Sequence, residues 1–235
     1  ETQIEEVRAG LPRRYFGALP VLLDPPLAGL PRVYGVAWAF VAHTDSDFDE
    51  DLLVQFLQAY QQARELTLGE MWALATTLRV VLIENLRRLA ERVATHKAAR
   101  AVANLCCDHL DRHPPAALQR LLLQLQQRGV GRHFLGQLAL RLQDPGAALP
   151  VAPSAEQRTW LMQALPDAAT QAVQNSAEQA ADNLSVSNAV AALRAIGAAD
   201  WPDIVARSSL LMQVMLDSPL FEAEHSATRD QSLHA

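Results

Sequence analysis

The chain has little of what secreted, sheet-forming or nucleic-acid-binding proteins need. It carries two cysteines, adjacent at Cys106 and Cys107. Neighbouring thiols build no disulfide framework, which fits a reducing compartment. Glycine is scarce at 10 of 235 residues and aromatics make up only 6%. Strands favour aromatic and β-branched residues, whereas this chain is rich in Ala, Leu and Gln, so a sheet is not expected. Basic residues are outnumbered 20 to 26, for a net charge of −6, which excludes a dominant electrostatic role on nucleic acid. The most apolar run, VYGVAWAFVA at 33–42, is about half the ~20 residues that cross a bilayer. The acidic opening ETQIEEVRAG lacks the apolar stretch of a signal peptide. It resembles the end of an amphipathic helix, and TRDQSLHA resembles the start of another, as expected of a piece of a longer chain.

Half of the residues are apolar, enough for a sizeable core. No segment alternates at period two, while helical spacing recurs throughout. The expected fold is all-α, an irregular antiparallel array of about 8–10 helices without a regular repeat. Local signals mark several starts. Pro31 suits a first helical turn. The acidic stretch TDSDFDED precedes an apolar helix and favours the positive end of its dipole. Thr67 and Glu70 form a T-x-x-E capping box, Ser154 caps a helix at SAEQRTW, and Asp200 does so with Pro202 behind it. The pattern from Leu68 to His113 is long for one helix, so a kink or split is expected near Thr95. Further on, PDAATQAVQNSAEQAADN and SVSNAVAALRAIGA read as two helices. Gly129 and Gly131 mark a hinge. The proline-rich stretch at 144–154 is the expected linker between a first subdomain, 1–143, and a second, 155–235.

Chemistry-bearing patterns are few. Asp45-Ser46-Asp47 is a D-x-D triplet that suits a divalent ion beside a nucleotide sugar, but it precedes a helix, where capping is the plainer role. Cys106, His109 and His113 fall at i, i+3 and i+7. On a continuous helix they share one face and are candidate metal ligands, although no CxxC or HExxH accompanies them. Gln157, Arg158 and Trp160 miss the spacing of the Q-x-x-R-W signature of processive sugar transferases. Glu84 sits three and four residues before Arg87 and Arg88, the spacing of intrahelical ion pairs. No catalytic residue and no cofactor are expected. Thr67, Glu70, Trp72, Arg79, Glu84, Asn85, Arg87, Arg88 and Trp201 are expected to serve structure. Tyr15, Tyr34 and Trp38 offer faces on which a sugar could stack.

Several of these residues lie in longer motifs. Gly29-x-Pro31-Arg32-Val33-Tyr34, Ala59-Tyr60-Gln61, Thr67-x-Gly69-Glu70-x-Trp72-Ala73 and Leu78-Arg79 with Ile83-Glu84-Asn85-Leu86-Arg87-Arg88-Leu89-Ala90 occur in order. DNLSVSNAVAALRAIGAADWPDIVARSSLLMQVMLDSP follows as a second block. Together they resemble the amino-terminal region of cyclic β-1,2-glucan synthases. The ending ATRDQSLHA departs from that family's basic, tyrosine-bearing TRD-x-YRH. The resemblance implies a large, multidomain membrane glycosyltransferase that polymerises glucose from UDP-glucose at the cytoplasmic side of the bacterial inner membrane. It implies that this region is a non-catalytic helical scaffold, or holds the growing glucan, with the transferase and phosphorylase-like domains of the same chain as partners.

Overall fold

Ten α-helices and no β-strand occur among the residues described by the computed structural model, 13–143, 152–165 and 168–219. Most of the expected linker at 144–154, and all of the ATRD ending, lie outside them. The helices are α1 (Arg13–Gly17), α2 (Arg32–His43), α3 (Glu50–Gln61), α4 (Leu68–Asp108), α5 (Pro115–Gln127), α6 (Gly131–Gln143), α7 (Ala155–Ala164), α8 (Ala168–Ala198), α9 (Trp201–Ser208) and α10 (Leu210–Leu216). The expected all-α class holds.

Two helices are longer than the sequence pattern suggested. The helix α4 runs unbroken for 41 residues through Thr95, where a kink or split was expected. Length statistics motivated that expectation, but no Gly or Pro stands between Gly69 and Asp108 to break the ladder. The Thr95 hydroxyl donates to the Glu91 carbonyl one turn back, 2.7 Å away. Likewise α8 is one helix of 31 residues, not two, and its alanine-rich middle favours continuation.

Helix ends follow local chemistry. Asp49 caps α3 by accepting from the Leu52 N–H, with Glu50 and Asp51 in the first turn. The Ser154 hydroxyl and the Gln157 side chain form a reciprocal capping box on α7. Asp200 caps α9 by accepting from the Asp203 N–H. Pro31 stands at the cap of α2 itself, one position earlier than a first-turn residue. Gly129, at φ +74°, closes α5: its N–H donates to the Gln126 carbonyl, and the Val130 N–H donates to that of Leu125, both at 2.9 Å. This pair of bonds is the Schellman arrangement, which needs a left-handed residue at that position.

Two compact units divide the chain, one of 1–86 with 185–235 and the other of 87–184. The first has a core that includes Val33, Phe40, Leu53, Leu57, Leu74, Leu78, Leu82, Ile196 and Ile204. Trp38, Trp72 and Trp201 are partly buried against it. The core of the second unites Ala103, Cys106, Cys107, Leu110, Leu118, Phe134, Leu138 and Leu161. Among the described residues, no helix is long and apolar enough to cross a membrane.

Candidate functional site

In the first unit, the motif residues fasten the helices to one another. Gly29 takes φ +82°, a conformation that favours glycine. The turn it makes is held by hydrogen bonds from the Gly29 N–H to the Leu22 carbonyl (2.8 Å) and from the Leu22 N–H to that of Leu30 (2.9 Å). Pro31 then starts α2 and aims Arg32 inward. The Arg32 guanidinium grips Glu70 with two hydrogen bonds, Nε to Oε1 at 2.8 Å and Nη2 to Oε2 at 2.5 Å. Nη2 also donates to the Glu65 carbonyl at 2.9 Å. The pair is sequestered, with side-chain exposures of 9% and 0%. Glu70 simultaneously closes the capping box: its Oε2 accepts from the Thr67 N–H, and its own N–H donates to the Thr67 hydroxyl oxygen. Burial pushes the Glu70 carboxyl up, but the hydrogen bonds from Arg32 and Thr67 and the Arg32 charge outweigh it. The group ends below the usual carboxylate range. One residue away, the Tyr15 hydroxyl donates to the Gly69 carbonyl. Tyr15 therefore acts as a fastener at the start of α4.

Three further motif residues do similar work. Gln61, 4% exposed, donates through Nε2 to the Ser208 carbonyl at 2.6 Å and joins α3 to the end of α9. The Trp201 indole N–H donates to the Ile196 carbonyl at 2.9 Å, and its ring lies against Phe48. Asn85 Nδ2 donates to the Ser46 hydroxyl at 2.8 Å. This steadies a turn in which both Asp45 and Ser46 have positive φ, a strained conformation for such residues. Ser185 and Asn188 of α8 hold the same turn, through the Asp45 carboxylate and carbonyl. The D-x-D triplet is thus a tied turn, and Asp49 does the capping. Arg87 pairs with Glu91, one turn on, at an exposed position.

Of the aromatic candidates, Tyr34 and Trp38 stack one turn apart on α2, with centroids 6.3 Å apart and planes at 21°. Trp38 lines a cleft with Val41, Ala42, Asp45, Ser46 and Asn85.

In the second unit, Cys106, His109 and His113 do not share a helical face. The helix α4 ends at Asp108, and a 3-10 turn at Leu110–Arg112 follows. Their i, i+3, i+7 spacing needed one continuous helix. Cys106 and Cys107 are buried in the core, and burial raises both thiols, Cys107 to about 11. Both are therefore protonated near neutral pH. Gln157 closes this end of the unit: its Nε2 donates to the Leu110 and His113 carbonyls, at 2.7 and 2.8 Å. Gln157→Ala removes both of these bonds, and because the Leu110 carbonyl keeps the His113 N–H, the cost is about 0.5–1.5 kcal/mol per bond lost. Gln157→Glu fares no better, because a carboxylate cannot donate. Urea titrations followed by the nearby Trp160 check both.

Among the described residues, the His, Cys, Asp or Glu ligand atoms that converge are those of His96 on α4, His133 on α6 and Glu178 on α8, all within 4.8 Å of one another. The two imidazoles stack with centroids 3.7 Å apart. His133 Nδ1 lies 3.8 Å from Glu178 Oε2, and Arg132 Nη2 bonds Glu178 at 2.8 Å. His133 is 3% exposed; burial, together with the charges of His96, Arg132 and Arg100, pushes its pKa down to about 4 against the pull of Glu178. Burial also lowers His96. A close approach of helices assembles the trio. A methyl group at Gly136, one turn past His133, would collide with the Gln171 side chain of α8. Sequence spacing gave no signal for this group, since its members stand alone on three helices.

No family model matches the chain. It is 34% identical over 206 residues, 86% of its length, to the cyclic beta-(1,2)-glucan synthase NdvB of Rhizobium meliloti (strain 1021). It spans only 7% of that protein's length. The likeness extends well beyond the quoted motifs, and the chain is similar to a segment of that synthase.

Proposed function

We propose that this segment is a non-catalytic helical scaffold of a cyclic β-1,2-glucan synthase, one that packs on the transferase or phosphorylase-like domains of the same chain and orients them at the cytoplasmic face of the bacterial inner membrane. The observation that carries the reading is the use made of the motif residues. Arg32, Glu70, Thr67, Gln61, Asn85 and Trp201 all spend their polar groups on hydrogen bonds between or within elements of the first unit. A catalytic constellation aims such groups at a cleft where a reacting atom can sit. Here they aim at one another. An in-frame deletion of the segment from a synthase that carries it lowers glucan yield or alters ring size, measured by mass spectrometry of the products, while UDP-glucose binding persists. Normal cyclic glucan from a correctly inserted deletion variant sinks this reading.

The Trp38 cleft favours a second reading, in which the segment holds the growing glucan. An aromatic ring beside the tied turn of Asp45 and Ser46 is the kind of surface on which a pyranose stacks. Titration of linear β-1,2-glucan against tryptophan fluorescence separates the two. Saturation that disappears in Trp38→Ala supports the glucan site; a flat titration discards it.

A further inference from the structure

We propose that His96, His133 and Glu178 form a binding site for a divalent transition metal of the zinc class, independent of any role in holding glucan or orienting domains. Two imidazoles and one carboxylate are a donor set that such ions take with an open position for water. The three come from three different helices of one compact unit, so an ion there would tie α4, α6 and α8 together. Their ligand atoms now lie within 4.8 Å of one another. Donors about 2.0–2.1 Å from a tetrahedral ion stand roughly 3.3 Å apart, so closure needs side-chain movements on the order of 1 Å and a turn of the two stacked rings, whose lone pairs lie in planes only 27° apart. The neighbouring cleft, about 100 Å³ and lined also by Asn175 and Asp182, has room for the ion's water.

The charges around the trio show how an ion would enter. Arg92 is engaged by Asp182, and Arg132 by Glu178; Arg100 lines the cleft beside them. Arg132 Nη2 holds Glu178 Oε1, while Oε2 is the oxygen facing His133, so the guanidinium draws on the same carboxylate that an ion would take. Its Nε also donates to His133 Nε2, at 3.3 Å. Its side chain is 63% exposed, so it can swing into water when the ion takes over Glu178. Binding through His133 Nδ1, the nitrogen nearer Glu178, moves the ring proton to Nε2 and breaks the contact with Arg132. The guanidinium and the ion compete for one carboxylate.

That competition makes the test selective. The chelator-treated 235-residue chain is titrated with Zn²⁺ by calorimetry and with Co²⁺ by visible absorption, which reports ligand field and coordination number. The expected result is saturation at one equivalent. His96→Gln and Glu178→Gln, both at partly exposed positions, each weaken binding at least about tenfold, with the circular dichroism spectrum unchanged. Arg132→Gln tightens it severalfold. His109→Ala and Cys106→Ser leave it unchanged. Three results overturn the site: no saturable binding, stoichiometric binding that survives His96→Gln and Glu178→Gln, or weaker binding in Arg132→Gln.

Discussion

Glu70→Ala is expected to lower the stability of the first compact unit by about 3–5 kcal/mol, because it strands the Arg32 guanidinium in the interior without its partner. The same substitution removes the carboxylate from the Thr67 capping box, whose loss adds to the effect in the same direction. Urea unfolding followed by tryptophan fluorescence, in a Trp160→Phe background that leaves only Trp38, Trp72 and Trp201 as reporters, measures it directly. Arg32→Met with Glu70→Leu is expected to recover most of the loss, since apolar groups of similar volume often replace a buried ion pair at little cost. If the double variant is as unstable as Glu70→Ala, the pair contributes more than its own desolvation, and it should then be treated as a net stabiliser.

Acid sensitivity follows from the same pair. The Glu70 carboxyl titrates below its ordinary 4.5 in the folded chain. A depressed folded pKa means that the stabilisation is fully present above the unfolded value and fades as pH falls through the folded one. The wild type is therefore expected to lose stability below about pH 4.5 more steeply than Glu70→Gln does. Equal slopes for the two would show that other carboxylates dominate acid unfolding.

What could be read in the sequence was what is local. The box at Thr67–Glu70 and the caps at Ser154 and Asp200 depend on residues three apart, and helix geometry alone brings them together. The same spacing logic failed for Cys106, His109 and His113 because the helix ends at Asp108, and no breaker stands before Pro114. Glu70 shows the boundary within one residue: its bond to Thr67 was legible, but its bond to Arg32, 38 positions away, was not. Gln61 with Ser208, and His96 with His133 and Glu178, join residues still farther apart or on three separate helices. Such pairings are fixed by how helices stack, which periodicity shows only as an apolar face. Arg32 and Glu70 stand in two different motifs of the synthase resemblance, and the fold brings those motifs together.

Phe134→Ala is expected to destabilise the second unit by about 3–5 kcal/mol, from lost burial plus the cavity left behind. Phe134 is fully buried in the core that holds Ala103, Leu110, Leu118 and Leu138. The location of the loss matters more than its size. Each unit has its own core, yet α4 and α8 each run through both units, and a helix frays from where its packing is lost. Hydrogen exchange is expected to show loss of protection across α5, α6 and the 3-10 turn at Leu110–Arg112, with α2 and α3 retaining theirs. In α4, protection should fall after Arg87 and persist before it. Uniform loss along the whole of α4 would mean that the two cores melt as one cooperative body through that helix, and Glu70→Ala should then expose the α6 amides as well. If protection instead breaks near Arg87, the unbroken helix joins two independently stable cores. Zinc, if it binds His96, His133 and Glu178, should then restore protection in the second unit of Phe134→Ala and leave the first unchanged.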